Sequence, residues 1–145
     1  MEEFKISLFE KEHNTVFPSH KTLSEDECKN LRLKIIGKYD LEQKNMANKL
    51  FSKQNYYADE DASEDFNLIE TLDKLEIHPE ENVYIDWYNF ERIDLMAIKD
   101  LSIFFYDVWY PVADDINIFD ESLDWLIFIR HDGTIYYIKN KSVSA

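Results

Sequence analysis

The end of the chain carries two apolar segments joined by an Asp-Gly pair, and this pattern constrains the fold more than any other feature. Trp125 to Ile129 is apolar at every position, which is typical of a strand that is buried on both faces. Asp132-Gly133 is a strong two-residue hairpin turn that leads into a second strand, Thr134 to Ile138. The sequence therefore predicts an antiparallel sheet in which Trp125 to Ile129 is central.

Two earlier segments add strands to this sheet, and the helices come mostly before them. Val83 to Trp87 alternates as a strand does, and Ile116 with Ile118 marks another short strand. At 145 residues the chain fits a single domain, residues 1–145, with a core of its own. We therefore predict an α+β fold in which N-terminal helices pack on a mostly antiparallel C-terminal sheet.

Capping residues indicate two helices in the first 50 residues. Ser24 and Glu27 form a capping-box pattern, and Gly37 can close the helix that begins there. The apolar positions of this helix recur at i, i+3 and i+7: Cys28, Leu31 and Ile35. Asp40 with Gln43 suggests a second cap and a following helix. The segment before Ser24 is weakly patterned.

The clearest helical pattern lies near Lys99 to Trp109. Its apolar residues fall at i, i+3, i+4, i+7 and i+8, which is one continuous stripe: Leu101, Phe104, Phe105, Val108 and Trp109. Pro111 stops the pattern, because proline cannot continue a helix. We predict a single helix here, with its stripe in the core.

Acidic residues are concentrated in one segment, Asp59 to Asp124, which holds 20 of the chain's 30. Only three basic residues lie within this segment, so its net charge is −17, against −14 for the whole chain. Carboxylates interleaved with Trp, Tyr and Phe suit a surface that binds something strongly basic. Direct binding of nucleic acid is disfavoured, since phosphate recognition requires clustered Lys and Arg. The stretch that overlaps the start of this segment, Ala58 to Asp65, is interpreted as a solvated loop.

No arrangement of residues indicates catalysis or a cofactor, and we expect a non-enzymatic protein. None of the four histidines has a glutamate at helical i, i+4 spacing, and two glycines are too few for most phosphate-binding loops. The single cysteine, Cys28, lies on an apolar helix face, which favours a buried structural thiol. We find no signal segment and no membrane-spanning apolar run, so we expect a cytoplasmic protein without membrane contact.

The candidate partner-binding residues are aromatic and acidic side chains that fall outside the predicted apolar faces. Trp87, Phe104, Phe105 and Trp109 lie on those faces and are assigned to the core. The candidates are Tyr88, Tyr106, Asp107, Tyr110, Asp114, Asp115, Asp120 and Asp124. For the last four, a divalent-cation site is an alternative, since hard cations prefer carboxylate oxygens, although EF-hand spacing is absent.

The second half of the chain contains a run of aromatic and acidic residues that resembles a known family. It comprises Asp107 to Asp120, Leu123 to Trp125 and the His131-Asp-Gly hairpin. This run resembles small bacterial immunity proteins, which are encoded beside toxins and neutralise them by tight binding. Val83 to Trp87 looks like the strand that such proteins place before the motif, so the resemblance covers Val83 to Lys139. The chain is also loosely similar to the SUKH-type immunity superfamily, which has an α+β fold.

The resemblance implies an inhibitor in the producer's cytoplasm that binds one toxin domain. Combined with the acidic segment, it leads us to expect a basic toxin partner, and a nuclease domain fits best, because carboxylates can take the places of nucleic-acid phosphates. Two alternatives stay open, a nucleic-acid mimic that inhibits a DNA-binding protein and a divalent-metal-binding domain. If the protein is a toxin inhibitor, we expect Asp114→Ala combined with Asp115→Ala to weaken toxin binding without unfolding the protein. We expect Trp125→Ala or Phe104→Ala to destabilise the fold.

Overall fold

A seven-stranded antiparallel sheet lies in the middle of the fold, and helices cover both of its faces. The structure is a computed structural model that describes residues 1–140. Its helices are α1 (Glu3–His13), α2 (Glu25–Tyr39), α3 (Met46–Ser52), α4 (Leu68–Lys74), α5 (Ile98–Ile103) and α6 (Phe105–Val108). Its strands are β1 (His20–Thr22), β2 (Asn55–Tyr57), β3 (Asn82–Tyr88), β4 (Arg92–Ala97), β5 (Ile116–Phe119), β6 (Trp125–Ile129) and β7 (Ile135–Lys139).

The strands lie in the order β1-β4-β3-β5-β6-β7-β2, and every neighbouring pair is antiparallel. The predicted α+β class is confirmed, and five of the seven strands come from the C-terminal part of the chain. The two strands from the first 60 residues, β1 and β2, form the edges of the sheet. None of the helices in the part of the chain that the structure describes is long and apolar enough to cross a bilayer.

Strand β6 lies between β5 and β7, so its predicted central position is confirmed. Trp125 and Ile127 pack into the core shared with α1, α4, α5 and α6, whereas Leu126 packs into the core shared with α2 and α3. A strand covered on both faces needs an apolar side chain at every position. This requirement explains why β6 is a continuous apolar run.

Helix α2 begins where the capping box predicts and ends later than predicted. Ser24 Oγ accepts a hydrogen bond from the Glu27 amide at 3.1 Å, and the Glu27 carboxylate accepts one from the Ser24 amide at 3.0 Å. Gly37 lies inside the helix, which closes at Asp40, in the left-handed conformation with φ of 53°. Asp40 is therefore the C-cap of α2 and does not start the next helix, which begins at Met46.

The β3–β4 hairpin was not predicted, because its turn lacks glycine. Asn89 and Phe90 both have positive φ, 47° and 58°, and the Glu91 amide donates to the Tyr88 carbonyl at 2.8 Å. These are the marks of a type I′ turn, in which glycine is the usual second residue. Phe90 adopts this costly conformation because its ring is buried and its amide donates to Asp86 Oδ1 at 2.9 Å.

The helix predicted near Lys99 to Trp109 is divided in two, since α5 and α6 meet at Phe104. Phe104 has φ of −106° and ψ of 30°, which interrupts the regular backbone. Leu101, Phe105 and Val108 are buried as predicted, and so is Trp109. The apolar stripe therefore predicted burial correctly except at Phe104, which is half-buried, and it did not predict the break between α5 and α6.

The β6–β7 hairpin forms at the predicted place with a longer turn. The Arg130 amide donates to the Thr134 carbonyl at 3.0 Å, which leaves three residues in the turn. Gly133 occupies its left-handed position with φ of 91°. The loop predicted as solvated packs against this turn, because the Ala62 amide donates to the Gly133 carbonyl at 2.8 Å and Ala62 itself is buried.

Candidate functional site

The eight candidate residues predicted from the sequence lie in three separate places. Four are on α6 and the loop after it: Tyr106, Asp107, Tyr110 and Asp114. Tyr88 and Asp115 line a groove beside α3, whereas Asp120 and Asp124 line a groove at the opposite end of β5. Asp120 lies five positions after Asp115 along extended chain, which is about 17 Å. The candidates therefore do not form one continuous surface.

Asp114 is the partner of a buried lysine. Lys5, on α1, is 1% exposed, and its Nζ lies 2.6 Å from Asp114 Oδ2. The same ammonium donates to the Val108 carbonyl at 2.8 Å and lies 4.1 Å from the centre of the Trp87 ring. The Tyr110 amide also donates to Asp114. This carboxylate thus connects α1 to the loop after α6, and little of it remains accessible to a partner.

Tyr106 makes more internal hydrogen bonds than Asp107 does. The Tyr106 hydroxyl donates to the Ala62 carbonyl at 2.8 Å and accepts from the Phe66 amide at 2.7 Å. It therefore holds the acidic loop against α6, although part of its ring is exposed. Asp107 lies 3.1 Å from His13 Nε2 near the surface.

Helix α1 and the α6 region together form an acidic and aromatic surface, which we call the α1–α6 face. It consists of Phe4, Leu8, Glu12, His13, Asp107 and Tyr110. Phe4 is 53% exposed and packs edge-to-face on Tyr110 with ring centres 5.8 Å apart. Desolvation raises the pKa of Tyr110, and nearby carboxylates, that of Asp107 first, raise it further. Negative charge therefore surrounds a pair of partly exposed aromatic rings.

Sequence reasoning missed the α1 half of this face. Phe4, Leu8 and Glu12 are four residues apart on one side of α1, but apolar residues also occur on its other side. The contacts that build the face join residues about 100 positions apart, such as Phe4 with Tyr110. No local pattern in the sequence reports such a pairing.

The carboxylates suggested as a cation site do not converge on one point. Asp114 binds Lys5, Asp115 accepts from the His131 amide at 2.6 Å, and Asp120 lies beyond β5. Within residues 1–140, one group brings three potential ligand atoms within 4.8 Å of one another: Glu12, His13 and Asp107. This group belongs to the α1–α6 face and is exposed to solvent.

Asp120 and Asp124 line an acidic groove of about 460 Å³. Asp120 is buried and accepts from Trp125 Nε1 at 2.8 Å and from the Glu80 amide at 2.9 Å, so it holds the groove together. Desolvation and the carboxylates of Asp120, Glu121 and Asp124 raise the pKa of Glu80. Asp124 is exposed and pairs with Lys38 at 2.9 Å.

The groove beside α3, which we call the α3 groove, has a volume of about 550 Å³. Its lining includes Phe51, Gln54, Asp86, Tyr88, Asp115 and Arg130. Asp86 accepts hydrogen bonds from the Tyr88 and Phe90 amides and from Asn117 Nδ2. Burial raises the pKa of Asp86 to about 6 despite these bonds. Tyr88 is 59% exposed at the rim.

Comparison of the chain with protein-family models, curated proteins and solved structures gave no significant match. Function is therefore inferred from the residues of the sites themselves.

Proposed function

We propose that this protein is a non-enzymatic inhibitor of the immunity-protein type, which acts in the cytoplasm and occludes a basic toxin domain. A nuclease domain is the partner class that its surface chemistry fits best. In this proposal the α1–α6 face is the contact surface, and its carboxylates occupy positions that nucleic-acid phosphates take in the partner's basic cleft. Phe4 and Tyr110 supply the aromatic contacts.

The observation that carries the proposal is the pairing of exposed aromatic rings with surrounding carboxylates on the α1–α6 face. Interface hot spots are enriched in aromatic residues, and opposite charge on a partner speeds association. Lys5, the cation beneath this face, is buried and bound to Asp114, so it does not neutralise Glu12 or Asp107. The face therefore presents the carboxylates of Glu12 and Asp107, the second of which lies beside His13, next to apolar area.

The loop after α6 adds a second supporting observation. Val112 is 85% exposed and has a positive φ of 74°. A β-branched residue in this conformation is strained, and strain of this kind costs on the order of 1–3 kcal/mol. An exposed, strained apolar side chain two residues after Tyr110 is consistent with selection for contact and not for stability.

Energetically, the proposal depends on how completely the partner desolvates the carboxylates. A close, desolvated charge pair contributes about 1.5–7 kcal/mol of coupling, whereas pairs at the rim mainly change the association rate. Asp107 lies partly below the surface, with 22% of its side chain exposed, so it is the carboxylate we expect to contribute most to affinity. Glu12 is exposed and is expected to act mainly on the association rate.

The test measures binding of purified variants of the full chain to a basic toxin domain, which is to be sought as the C-terminal domain that a neighbouring gene encodes. We expect Asp107→Asn and Phe4→Ala each to weaken binding about tenfold or more, as hot-spot substitutions do. The matched control is Glu42→Gln, which removes one exposed carboxylate on the α2 side of the sheet. Equal effects of Asp107→Asn and Glu42→Gln would reject the α1–α6 face as the contact.

The nucleic-acid mimic is an outcome of the same experiment. A mimic inhibits several unrelated DNA-binding proteins, whereas an inhibitor of the immunity type inhibits one partner. Inhibition of many such proteins, all unaffected by Phe4→Ala, would favour mimicry, because a mimic depends on carboxylate charge and not on an aromatic anchor.

A further inference from the structure

The α3 groove lies on the α2–α3 side of the sheet, and the proposed function does not use it. Its wall includes Gln54, whose Oε1 is buried and has no hydrogen-bond partner within the described residues. Buried polar atoms are nearly always paired, and leaving one unpaired costs about 1–3 kcal/mol. Gln54 therefore brings to the groove wall an acceptor that pairs with no other described residue.

We propose that the α3 groove binds a guanidinium group, with Gln54, Asp86 and Asp115 as its acceptors. Arginine side chains carry this group, so the ligand is either free arginine or an arginine of another protein.

Asp86 gives the groove a carboxylate without a counter-charge. Its three hydrogen bonds come from neutral donors, the Tyr88 and Phe90 amides and Asn117 Nδ2. No lysine, arginine or histidine among residues 1–140 lies within ion-pair distance of it. An opposite charge close to a buried carboxylate favours its ionised form, so a guanidinium ligand supplies the counter-charge that the described residues do not give Asp86.

The walls of the groove suit a flat cation. Phe51 and Phe128 pack edge-to-face with ring centres 5.7 Å apart, and Tyr88 is exposed at the rim. A guanidinium group is planar, stacks on aromatic rings and carries five donors, whereas an ammonium group is compact and strongly hydrated. Arginine is therefore favoured over lysine.

Among the residues that the structure describes, Arg130 is the one cationic residue that lines the groove. Asp86 and Asp115 outnumber it, so the lining carries a net negative charge. An anion that binds at Arg130 is the competing possibility, and the experiment includes it.

The experiment is an NMR titration of the full chain with N-acetyl-arginine amide, followed through the side-chain amides of Gln54 and Asn117, which both line the groove. We expect saturable shifts with a dissociation constant on the order of millimolar. N-acetyl-citrulline amide, which has the same shape without the charge, is expected to bind at least about tenfold more weakly. Inorganic phosphate is expected to leave these signals unchanged.

Two variants and one control locate the binding. Gln54→Leu is expected to weaken binding about fivefold or more and also to raise the Tm, because it removes an unsatisfied acceptor. Asp86→Asn is expected to weaken binding at least as much. Glu70→Gln, an exposed carboxylate on α4 across the sheet, is the control and is expected to change nothing.

The proposal is overturned if the arginine probe gives no saturable shift, if citrulline binds equally well, or if phosphate shifts the same signals. It is also overturned if Gln54→Leu raises the Tm and leaves binding intact. Because the titration uses the protein without a partner, a negative result leaves toxin binding at the α1–α6 face untouched. Failure of toxin binding likewise leaves the titration unaffected. Competition between the arginine probe and a bound toxin domain would identify an arginine of that domain as the source of the group.

Discussion

At the scale of single residues, Lys5 determines what Asp114 can do. The Lys5 ammonium is buried and is held by Asp114, by the Val108 carbonyl and by the Trp87 ring. Removing one member of a buried ion pair leaves an uncompensated charge, which typically costs about 3–5 kcal/mol. Asp114 therefore contributes to stability first, and any contribution to binding comes after that.

We predict that Asp114→Ala lowers the free energy of unfolding by about 3 kcal/mol or more, because Lys5 loses its partner. Asp115→Ala, at the adjacent position, is the control variant. It removes an exposed carboxylate that binds His131, and we expect a loss of less than about 1 kcal/mol. Urea unfolding of both variants measures the difference. Equal losses would show that the Lys5–Asp114 pair does not stabilise the fold. The expectation from sequence, that both substitutions leave the fold intact, is thus retained only for Asp115.

A second residue-scale prediction concerns Asp86 and pH. Burial raises its pKa to about 6 from the ordinary value of 3.8. The folded state therefore holds this proton more tightly than the unfolded chain does, and the free energy of unfolding falls as pH rises from about 4 to about 6. Two pKa units correspond to about 3 kcal/mol. We expect Asp86→Asn to abolish this loss and to be more stable than the wild type at pH of about 7.5.

The Asp86→Asn measurement requires the hydrogen bonds of the site to persist. The amide oxygen of the variant can still accept from the Tyr88 and Phe90 amides, and a rotated Asn117 amide can accept from its nitrogen. Asp73→Asn, at an exposed position on α4, is the control and should leave the pH profile unchanged. If Asp86→Asn and the wild type lose stability in parallel between pH of about 4 and 6, Asp86 is not the group responsible.

At the scale of elements, the two glycines have opposite roles. Gly37 lies inside α2, and a Cβ added there meets nothing within 4 Å. Gly133 lies in the β6–β7 turn with φ of 91°, and a Cβ there would lie 1.9 Å from Asp61 Oδ1. The first position tolerates a side chain, and the second does not.

We predict that Gly37→Ala raises the free energy of unfolding by about 0.5–1 kcal/mol, since alanine is the better helix former and loses less backbone entropy. Gly133→Ala is expected to lower it, because the left-handed conformation disfavours a side chain and Asp61 must move. Thermal unfolding of both variants tests the pair. A destabilising Gly37→Ala would mean that the helix requires glycine at this position for a reason the contacts do not show.

The two hairpins show why some elements could be predicted and others could not. The Asp132-Gly133 pair is typical of hairpin turns, so the sequence alone predicts the β6–β7 hairpin. Asn89-Phe90 adopts the same kind of left-handed backbone without glycine, and burial of the Phe90 ring compensates for the strain. Strand β4 was therefore missed, because its turn depends on tertiary packing. The same reason hid the α1 half of the α1–α6 face, since Phe4 meets Tyr110 only in the folded chain.

At the scale of the whole molecule, the two sites lie mainly on opposite sides of the sheet and meet near Trp87 and the loop after α6. The α1–α6 face lies on the side of the core that α1, α4, α5 and α6 cover, whereas the α3 groove opens beside α3 on the other side. Trp87 and Asp115 line the groove, and Trp87 also contacts Lys5, which is bound to Asp114. Both sites lie in the negative electrostatic field of the whole molecule, because the chain has 30 acidic residues and 16 basic ones.

This field predicts salt effects of opposite sign on stability and on association. The net charge of −14 repels itself in the folded state, and exposed ion pairs such as Lys38 with Asp124 return little, usually less than about 1 kcal/mol each. Sodium chloride screens this repulsion, since the Debye length falls from about 10 Å at 0.1 M to about 3 Å at 1 M. We therefore expect the Tm of the free protein to rise with salt.

The association rate with a basic toxin domain is expected to fall steeply over the same range, because screening weakens electrostatic steering. Differential scanning calorimetry and stopped-flow binding measure the two quantities in one set of buffers. A Tm that falls with salt would show that local ion pairs outweigh the net repulsion, and a salt-independent rate would exclude steering by the acidic segment.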